Sequence, residues 1–288
     1  MRRLITAALT ALLLLTGCTA VAPAPPQVMV SGAAGAPPTI TYLTPLAVTS
    51  TVHQVIWAGA GDPLVDGSPV LLDFWLENAN DATVVKESYT SSPMPRTLSV
   101  EDLGKDLFDA LHGQRVGARL LQISPAADTG AADYPTVTVV DVLPTRASGD
   151  AAAPAAGLPA VTLAADGSPS IAVPEGPPPA DLVTQPLVRG SGAQVADGDL
   201  VTVQYTGFAW STGQAFDSTW TSGRPVSFAL SSVPAWASLV EQPVGSQVML
   251  VVPPSYPLGA TQSEELTGQT IVFVVDILAT GPSTPADG

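Results

Sequence analysis

The sequence predicts an α+β fold built from two copies of one strand-rich unit. Three observations carry this. Short β-branched runs bounded by Gly, Pro and Ser recur along the chain, one segment has helical apolar spacing, and three sequence blocks return in the same order at a nearly constant offset. Asp66-Gly67-Ser68-Pro69-Val70 returns 131 residues later as Asp197-Gly198-Asp199-Leu200-Val201. Gln114-Arg115-Val116-Gly117 returns after 128 residues as Gln242-Pro243-Val244-Gly245, and Val140-Asp141-Val142-Leu143 after 135 as Val275-Asp276-Ile277-Leu278. Small changes of offset are what loop insertions between conserved strands produce.

The strands of the second copy are expected over Leu200–Tyr205, Val226–Leu230, Gln247–Val252 and Thr270–Leu278. The short helix is expected over Ser232–Gln242, with Ser232 as its cap and Trp236, Leu239 and Val240 at i, i+3, i+4 spacing. Asp166-Gly167 followed by Ile171-Ala172-Val173 predicts a short hairpin ahead of the proline run Pro177–Pro179. Several antiparallel strands with one short helix make a sheet that wraps the helix.

Composition narrows the function. The 288 residues carry 10 Lys+Arg against 25 Asp+Glu, a net charge of −15, which argues against phosphate-reading nucleic-acid binders. Charged residues are only 12% and apolar residues 46%, so the chain can build cores and is not a disordered polyelectrolyte. One cysteine forbids an internal disulfide and a cysteine-cluster zinc site. The two histidines, His53 and His112, and the lack of a G-x-S-x-G elbow disfavour a hydrolase triad.

The N-terminus reads as an address. Met1-Arg2-Arg3 is basic, and Leu4–Leu15 is apolar apart from two threonines but too short to span a bilayer as a stable helix. It runs into Leu15-Thr16-Gly17-Cys18, which resembles a bacterial lipobox, so residues 1–17 are expected to be a signal peptide and Cys18 the lipidation site. The alternative is an ordinary signal followed by an accidental cysteine. An acidic body is repelled by anionic lipid, so the acyl chains rather than a basic patch would hold it to the outer face of the cell membrane. Residues 18–38, rich in Ala, Pro and Gly and uncharged, are expected to be a flexible tether. The first copy is expected over 39–146, a linker over 147–160, the second copy over 161–282 and a tail over 283–288.

The second copy carries recognisable residues. Val201-Thr202-Val203-Gln204-Tyr205-Thr206-Gly207 is followed by Ala215-Phe216-Asp217-Ser218, Pro225-Val226-Ser227-Phe228, Trp236, Val244-Gly245, Pro254-Ser255-Tyr256-Pro257-Leu258-Gly259 and Thr270-Ile271-Val272-Phe273. In that order the stretch from about Leu182 to Thr280 resembles the FKBP-type peptidyl-prolyl cis/trans isomerases. The resemblance implies two FKBP-like domains, each a five-stranded antiparallel sheet around a short helix, with an aromatic box for a proline ring and no metal or cofactor. It implies Trp236 as the floor, Tyr205, Phe216, Phe228 and Phe273 as walls, and Asp217 at the polar rim. It implies further that Val233 offers its backbone N–H to a substrate carbonyl and that Tyr256 shapes the wall. The implied partners are proline-containing polypeptides and, weakly, macrolides.

Three departures from the family pattern accompany it. Leu258 stands where the family commonly has a Tyr hydroxyl, the helix region from Trp236 to Gly245 is short, and the following loop carries Ser263-Glu264-Glu265. In the first copy the box is altered. Phe74 stands for Tyr205, Val85 for Phe216, Lys86 for Asp217, Phe108 for Trp236 and Thr138 for Phe273, which marks a degenerate copy. The leading function is therefore a prolyl isomerase assisting exported proteins. The alternative is a non-catalytic module that binds proline-containing segments.

Overall fold

A computed structural model describes residues 28–126, 133–153, 155–257 and 266–282. The signal peptide, Cys18, Leu258, the Glu264-Glu265 pair and the tail lie outside the described residues. The chain opens with a hairpin of β1 (Met29–Ser31) and β2 (Thr39–Thr41). A first sheet follows: β3 (Val52–Trp57), β4 (Pro69–Asn78), β5 (Thr83–Glu87), β6 (Met94–Thr97), helices α1 (Val100–Leu103) and α2 (Lys105–Leu111), β7 (Arg119–Ser124) and β8 (Thr136–Leu143). Next come β9 (Asp150–Ala151) and a second hairpin, β10 (Ala160–Leu163) and β11 (Pro169–Ala172). The second sheet contains β12 (Val183–Arg189), β13 (Asp199–Ala209), β14 (Ala215–Ser218), β15 (Val226–Ala229), β16 (Gln247–Val252) and β17 (Ile271–Pro282).

The two sheets repeat one strand order. The first runs β3-β7-β8-β4-β5 with β6 also on β4; the second runs β12-β16-β17-β13-β14 with β15 also on β13. All pairings are antiparallel. The expectation of five strands per sheet is corrected to six and seven. The outer position is shared by two short strands, since β15 pairs with Leu200–Val203 and β14 with Thr206–Phe208 of the same long strand. The seventh strand is β9, which adds to the edge of β12 through Val188 and Arg189. The stretch expected to be a free linker is thus pinned to the second sheet, where the Ala147 N–H also donates to Asp276 Oδ2 at 2.7 Å.

Each sheet is covered on both faces, so its central strands are apolar on both sides rather than alternating. In the second, Val201, Val203, Val248, Leu250, Phe273 and Val275 face Trp236 and Leu239. Phe208, Trp210, Met249, Val251, Val272 and Val274 face the hairpin residues Val161 and Ile171. In the first, Leu72, Leu120 and Val140 face Leu111, while Leu121, Ile123 and Val139 face Val28, Val30 and Ile40. Fully burying such a side chain contributes about 1.5–3 kcal/mol. The hairpin around Asp166-Gly167 forms as the sequence predicts. Its counterpart before the first sheet does not fit the expected tether through Pro38: from Val28 the chain is an ordered hairpin, fastened by Arg119 Nη2 to the carbonyls of Ala36 (2.7 Å) and Ala33 (3.3 Å).

The helix expected over Ser232–Gln242 is corrected to two 3₁₀ turns, Leu230–Ser232 and Pro234–Leu239. The cause is local. Val233 precedes a proline, which drives it to extended backbone (φ −132°, ψ 96°), so one helix cannot run through it and Ser232 caps nothing. Among the described residues no helix is long and apolar enough to cross a membrane.

Each sheet also buries an aspartate on its middle strands. Asp73 lies opposite Asp141 and is 8% exposed. Burial pushes its carboxyl up to about 6, with the Ser88 hydroxyl opposing and Asp141 adding to the rise. The folded chain therefore holds this proton up to about pH 6 while the unfolded chain releases it near 4, so the contribution of Asp73 to stability is fully present below pH 4 and is lost as pH rises through 6. Denaturant unfolding of wild type and Asp73→Asn is expected to show wild type losing stability relative to the variant between pH 4 and pH 7. A difference that stays constant across that range contradicts the assignment.

Candidate active site

Four strands of the second sheet and one 3₁₀ turn bring the expected ring residues together. β13 carries Tyr205, and its pairing with β14 sets Gly207 opposite Asp217. β17 pairs Phe273 with Gly207, and β15 pairs Phe228 with Val201. The turn Pro234–Leu239 lays Trp236 over the same face. Ring centroids lie 4.5 Å apart for Phe228 and Trp236, 5.2 Å for Tyr205 and Trp236, and 5.5 Å for Trp236 and Phe273. Tyr205 and Phe273 are 6.1 Å apart, and Phe216 reaches the group through Phe273 at 6.2 Å. Every pair is edge-to-face, the orientation favoured by the ring quadrupoles and worth about 0.5–1.5 kcal/mol per pair beyond area.

The openness of the group differs from expectation. Trp236, expected as the floor of an open box, is 1% exposed, because Tyr205, Phe228 and Phe273 close over it. Phe273 is fully buried, while Phe216 is 38% exposed and Tyr205 and Phe228 are half-buried. The wet surface of the group is thus made by Phe216, Tyr205, Phe228 and Asp217, with the indole beneath. The indole Nε1–H is buried and has no hydrogen-bond partner among the described residues.

At the rim the Tyr205 hydroxyl donates to Asp217 Oδ2. Burial, and then this bond to a carboxylate, pushes the phenol up, so Tyr205 is neutral throughout the physiological range. Asp217 is exposed and keeps an acceptor oxygen toward solvent.

Two expected contributors stand differently. The Val233 N–H is not free: it donates within its own turn to the Leu230 carbonyl, at a long 3.3 Å. Tyr256 lies in the turn after β16, its N–H donating to the Pro253 carbonyl, and no ring pair joins it to the others among the described residues. Leu258 lies outside the described residues. The described residues contain no group of three or more His, Cys, Asp or Glu side chains placed to hold a metal.

Gly207 is a shaping residue that sequence reading passed over as part of a strand motif. A Cβ there would come within 2.6 Å of Phe216 Cζ and 3.0 Å of Phe273 Cε1. The signal was present, since glycine inside a strand marks a close approach.

The pattern of the FKBP-type peptidyl-prolyl cis-trans isomerases matches residues 192–278, which include every ring described above. The probable FK506-binding protein of Corynebacterium glutamicum is 36% identical over 114 residues, covering 38% of this chain and 97% of that protein. The FKBP-type peptidyl-prolyl cis-trans isomerase FkpA of Escherichia coli strain K12 is 35% identical over 109 residues, 37% of this chain and 40% of that protein. The outer membrane protein MIP of Legionella longbeachae is 31% identical over 105 residues, 35% of this chain and 45% of that protein.

Gly207→Ala is expected to destabilise by about 1–3 kcal/mol through overpacking against Phe216. In a double-mutant cycle measured by denaturant unfolding, Phe216→Ala restores most of that loss. Additive effects of the two changes contradict the clash.

Proposed function

The chain belongs to the FKBP-type peptidyl-prolyl cis-trans isomerases, and on that premise we propose that the ring group around Trp236 is where its prolyl substrate sits. Rotation about an X–Pro bond faces a barrier of about 18–20 kcal/mol because amide resonance is lost at the half-turned state. That chemistry needs no nucleophile. A dry pocket withdraws the water that favours the planar, more polar amide, and rigid rings hold the pyrrolidine while a few hydrogen bonds suit the twisted carbonyl. A rate gain of about 10⁵ asks for only about 7 kcal/mol of such differential binding.

The observation that carries this reading is one buried indole, packed edge-on by three rings and with its N–H unpartnered among the described residues, inside the stretch that matches the family. Trp236 forms the base, Tyr205, Phe228 and Phe273 the walls, Phe216 the outer lip, and Asp217 with the Tyr205 hydroxyl the polar rim. Because the indole is closed over, the half-exposed Tyr205 and Phe228 rings part as the prolyl ring enters. Val233 enters the contact when its long bond to Leu230 is exchanged for a substrate carbonyl, and Tyr256 borders the mouth. The lack of a hydroxyl at Leu258 makes macrolide binding weak.

The reading extends to the whole chain. Each sheet with its preceding hairpin forms one FKBP-like domain, about 28–146 and 161–282, and the first is a degenerate copy. Lys86 stands in register where the second sheet has Asp217, and its ammonium lies over the Phe74 ring at 5.8 Å, so the rim charge is reversed. The basic start, apolar run and Cys18 motif support export and lipid anchoring, and the outer-membrane name of one relative is in keeping with it. The enzyme then serves exported polypeptides whose prolyl steps take tens of seconds unassisted.

A protease-free prolyl isomerisation assay on the full chain is expected to show kcat/KM at least about tenfold lower for Trp236→Leu and Asp217→Ala, roughly 1.4 kcal/mol of transition-state binding, with Lys86→Ala unchanged. Equal loss with Lys86→Ala places the site in the wrong half. Cys18→Ser is expected to move the chain from the membrane pellet to the soluble fraction of expressing cells; retention in the pellet contradicts the anchor.

A further inference from the structure

The two sheets treat the same buried position in opposite ways. In the first, Asp141 on β8 faces Arg119 across β7 and Asp73 across β4. Arg119 is 0% exposed and grips Asp141 with two bonds, Nε–Oδ1 and Nη2–Oδ2, each 2.6 Å. Its guanidinium lies 4.5 Å over the Trp57 ring, and the Ala33 and Ala36 carbonyls of the hairpin turn accept from it. In the second sheet Asp276 on β17 stands in the place of Asp141, facing Gln247 across β16 and Gln204 across β13. The acid is kept and its cation is gone.

What remains at Asp276 is a carboxylate without an ion pair among the described residues. It is 3% exposed and receives one bond from Gln247 Nε2 and one from the Ala147 N–H, both 2.7 Å, from neutral donors. Burial pushes it up to about 6. The nearby cation, Arg146, lines the same cavity and eases the charge on Asp276 from there, but its guanidinium stays half exposed and pairs with Asp62. Gln204 is 2% exposed and its Oε1 has no hydrogen-bond partner among the described residues. A cavity of about 1210 Å³ lies beside these groups, lined on one side by Gln204, Gln247, Asp276 and the hairpin-turn residue Asp166, and on the other by residues that precede the second sheet, Asp62 and Arg146 among them. Val188 faces Gln247 as Trp57 faces Arg119, so the cavity occupies the surroundings that the guanidinium fills in the first sheet.

We propose that this cavity binds a guanidinium group, supplied by an arginine side chain of another polypeptide, with Asp276 and Gln204 Oε1 as its acceptors. A buried acceptor without a donor and a buried carboxylate without a cation each cost free energy that an incoming guanidinium recovers. Guanidinium is preferred over ammonium because its planar fork offers parallel donors, as Arg119 displays in the first sheet. The net charge of −15 favours the approach of a cationic segment. The site does not depend on the isomerase reading: strand alternation puts Asp276 on the face opposite Phe273 and Trp236.

The test is calorimetric titration of the full chain with N-acetyl-arginine methylamide, its neutral citrulline analogue and its lysine analogue, and then with an arginine-containing peptide. Saturable binding of the arginine compound is expected, at least tenfold tighter than citrulline and tighter than lysine, with the peptide tighter still. Asp276→Asn is expected to weaken it at least tenfold. Gln247→Arg, which supplies the missing cation from within, is expected to abolish probe binding and raise Tm. No saturable binding of the arginine compound to wild type overturns the proposal, as does equal binding of citrulline, unchanged binding in Asp276→Asn, or a lowered Tm in Gln247→Arg. A peptide no tighter than the amide overturns the polypeptide source. Isomerase activity in Asp276→Asn is expected to equal wild type, so loss of the guanidinium site and loss of the prolyl site read separately.

Discussion

The constraint on which the rest depends is the pairing of β13 with β17, which runs from Asp199 opposite Pro282 to Ala209 opposite Ile271. Strand geometry sends successive side chains to opposite faces, so this one register decides what each face contains. Phe273, Val275 and Ile277 meet Trp236 on one side, while Val272 and Val274 meet the hairpin on the other. A slip of one residue would carry Phe273 out of the ring group and turn Asp276 onto the apolar face that Trp236 covers. The buried apolar residues on both faces make such a slip costly, and the site inherits its precision from them.

The ring group is a compromise between packing and access. Edge-to-face contacts stabilise the fold and hold the indole in one orientation, but they also close it from water. On the proposed reading, binding includes the cost of separating rings that already satisfy one another, recovered as the pyrrolidine takes their place. Gly207 reconciles the two demands, since the absence of a side chain there lets Phe216 lie against the strand. The unpartnered indole N–H is a cost to the free protein that suits a polar group arriving from outside.

Much of this was legible in the sequence. The repeat was visible because framework blocks such as Val116-Gly117 and Val244-Gly245 serve backbone geometry that both copies need; Gly117 and Gly245 both have positive φ, at 88° and 90°. The ring residues were legible through their order along strands. The helix was misread because apolar spacing outweighed the effect of Pro234 on Val233. The hairpin Met29–Thr41 was hidden because its Ala, Pro and Gly content resembles a tether, and its stability comes from a long-range contact with Arg119. Closure of the indole and the exchange of Arg119 for Gln247 were illegible, since both depend on which side chains face one another across strands far apart in sequence.

The central claim is that a prolyl ring docks on Trp236 at the base of the ring group. The most direct measurement is the NMR shift of the Trp236 indole N–H, assigned by loss of its signal in Trp236→Phe, during titration with a short Leu-Pro-containing peptide and a matched Leu-Ala peptide. A saturable shift of that resonance with the prolyl peptide alone is the result expected. An unmoved indole signal while the peptide is being isomerised would place the chemistry elsewhere.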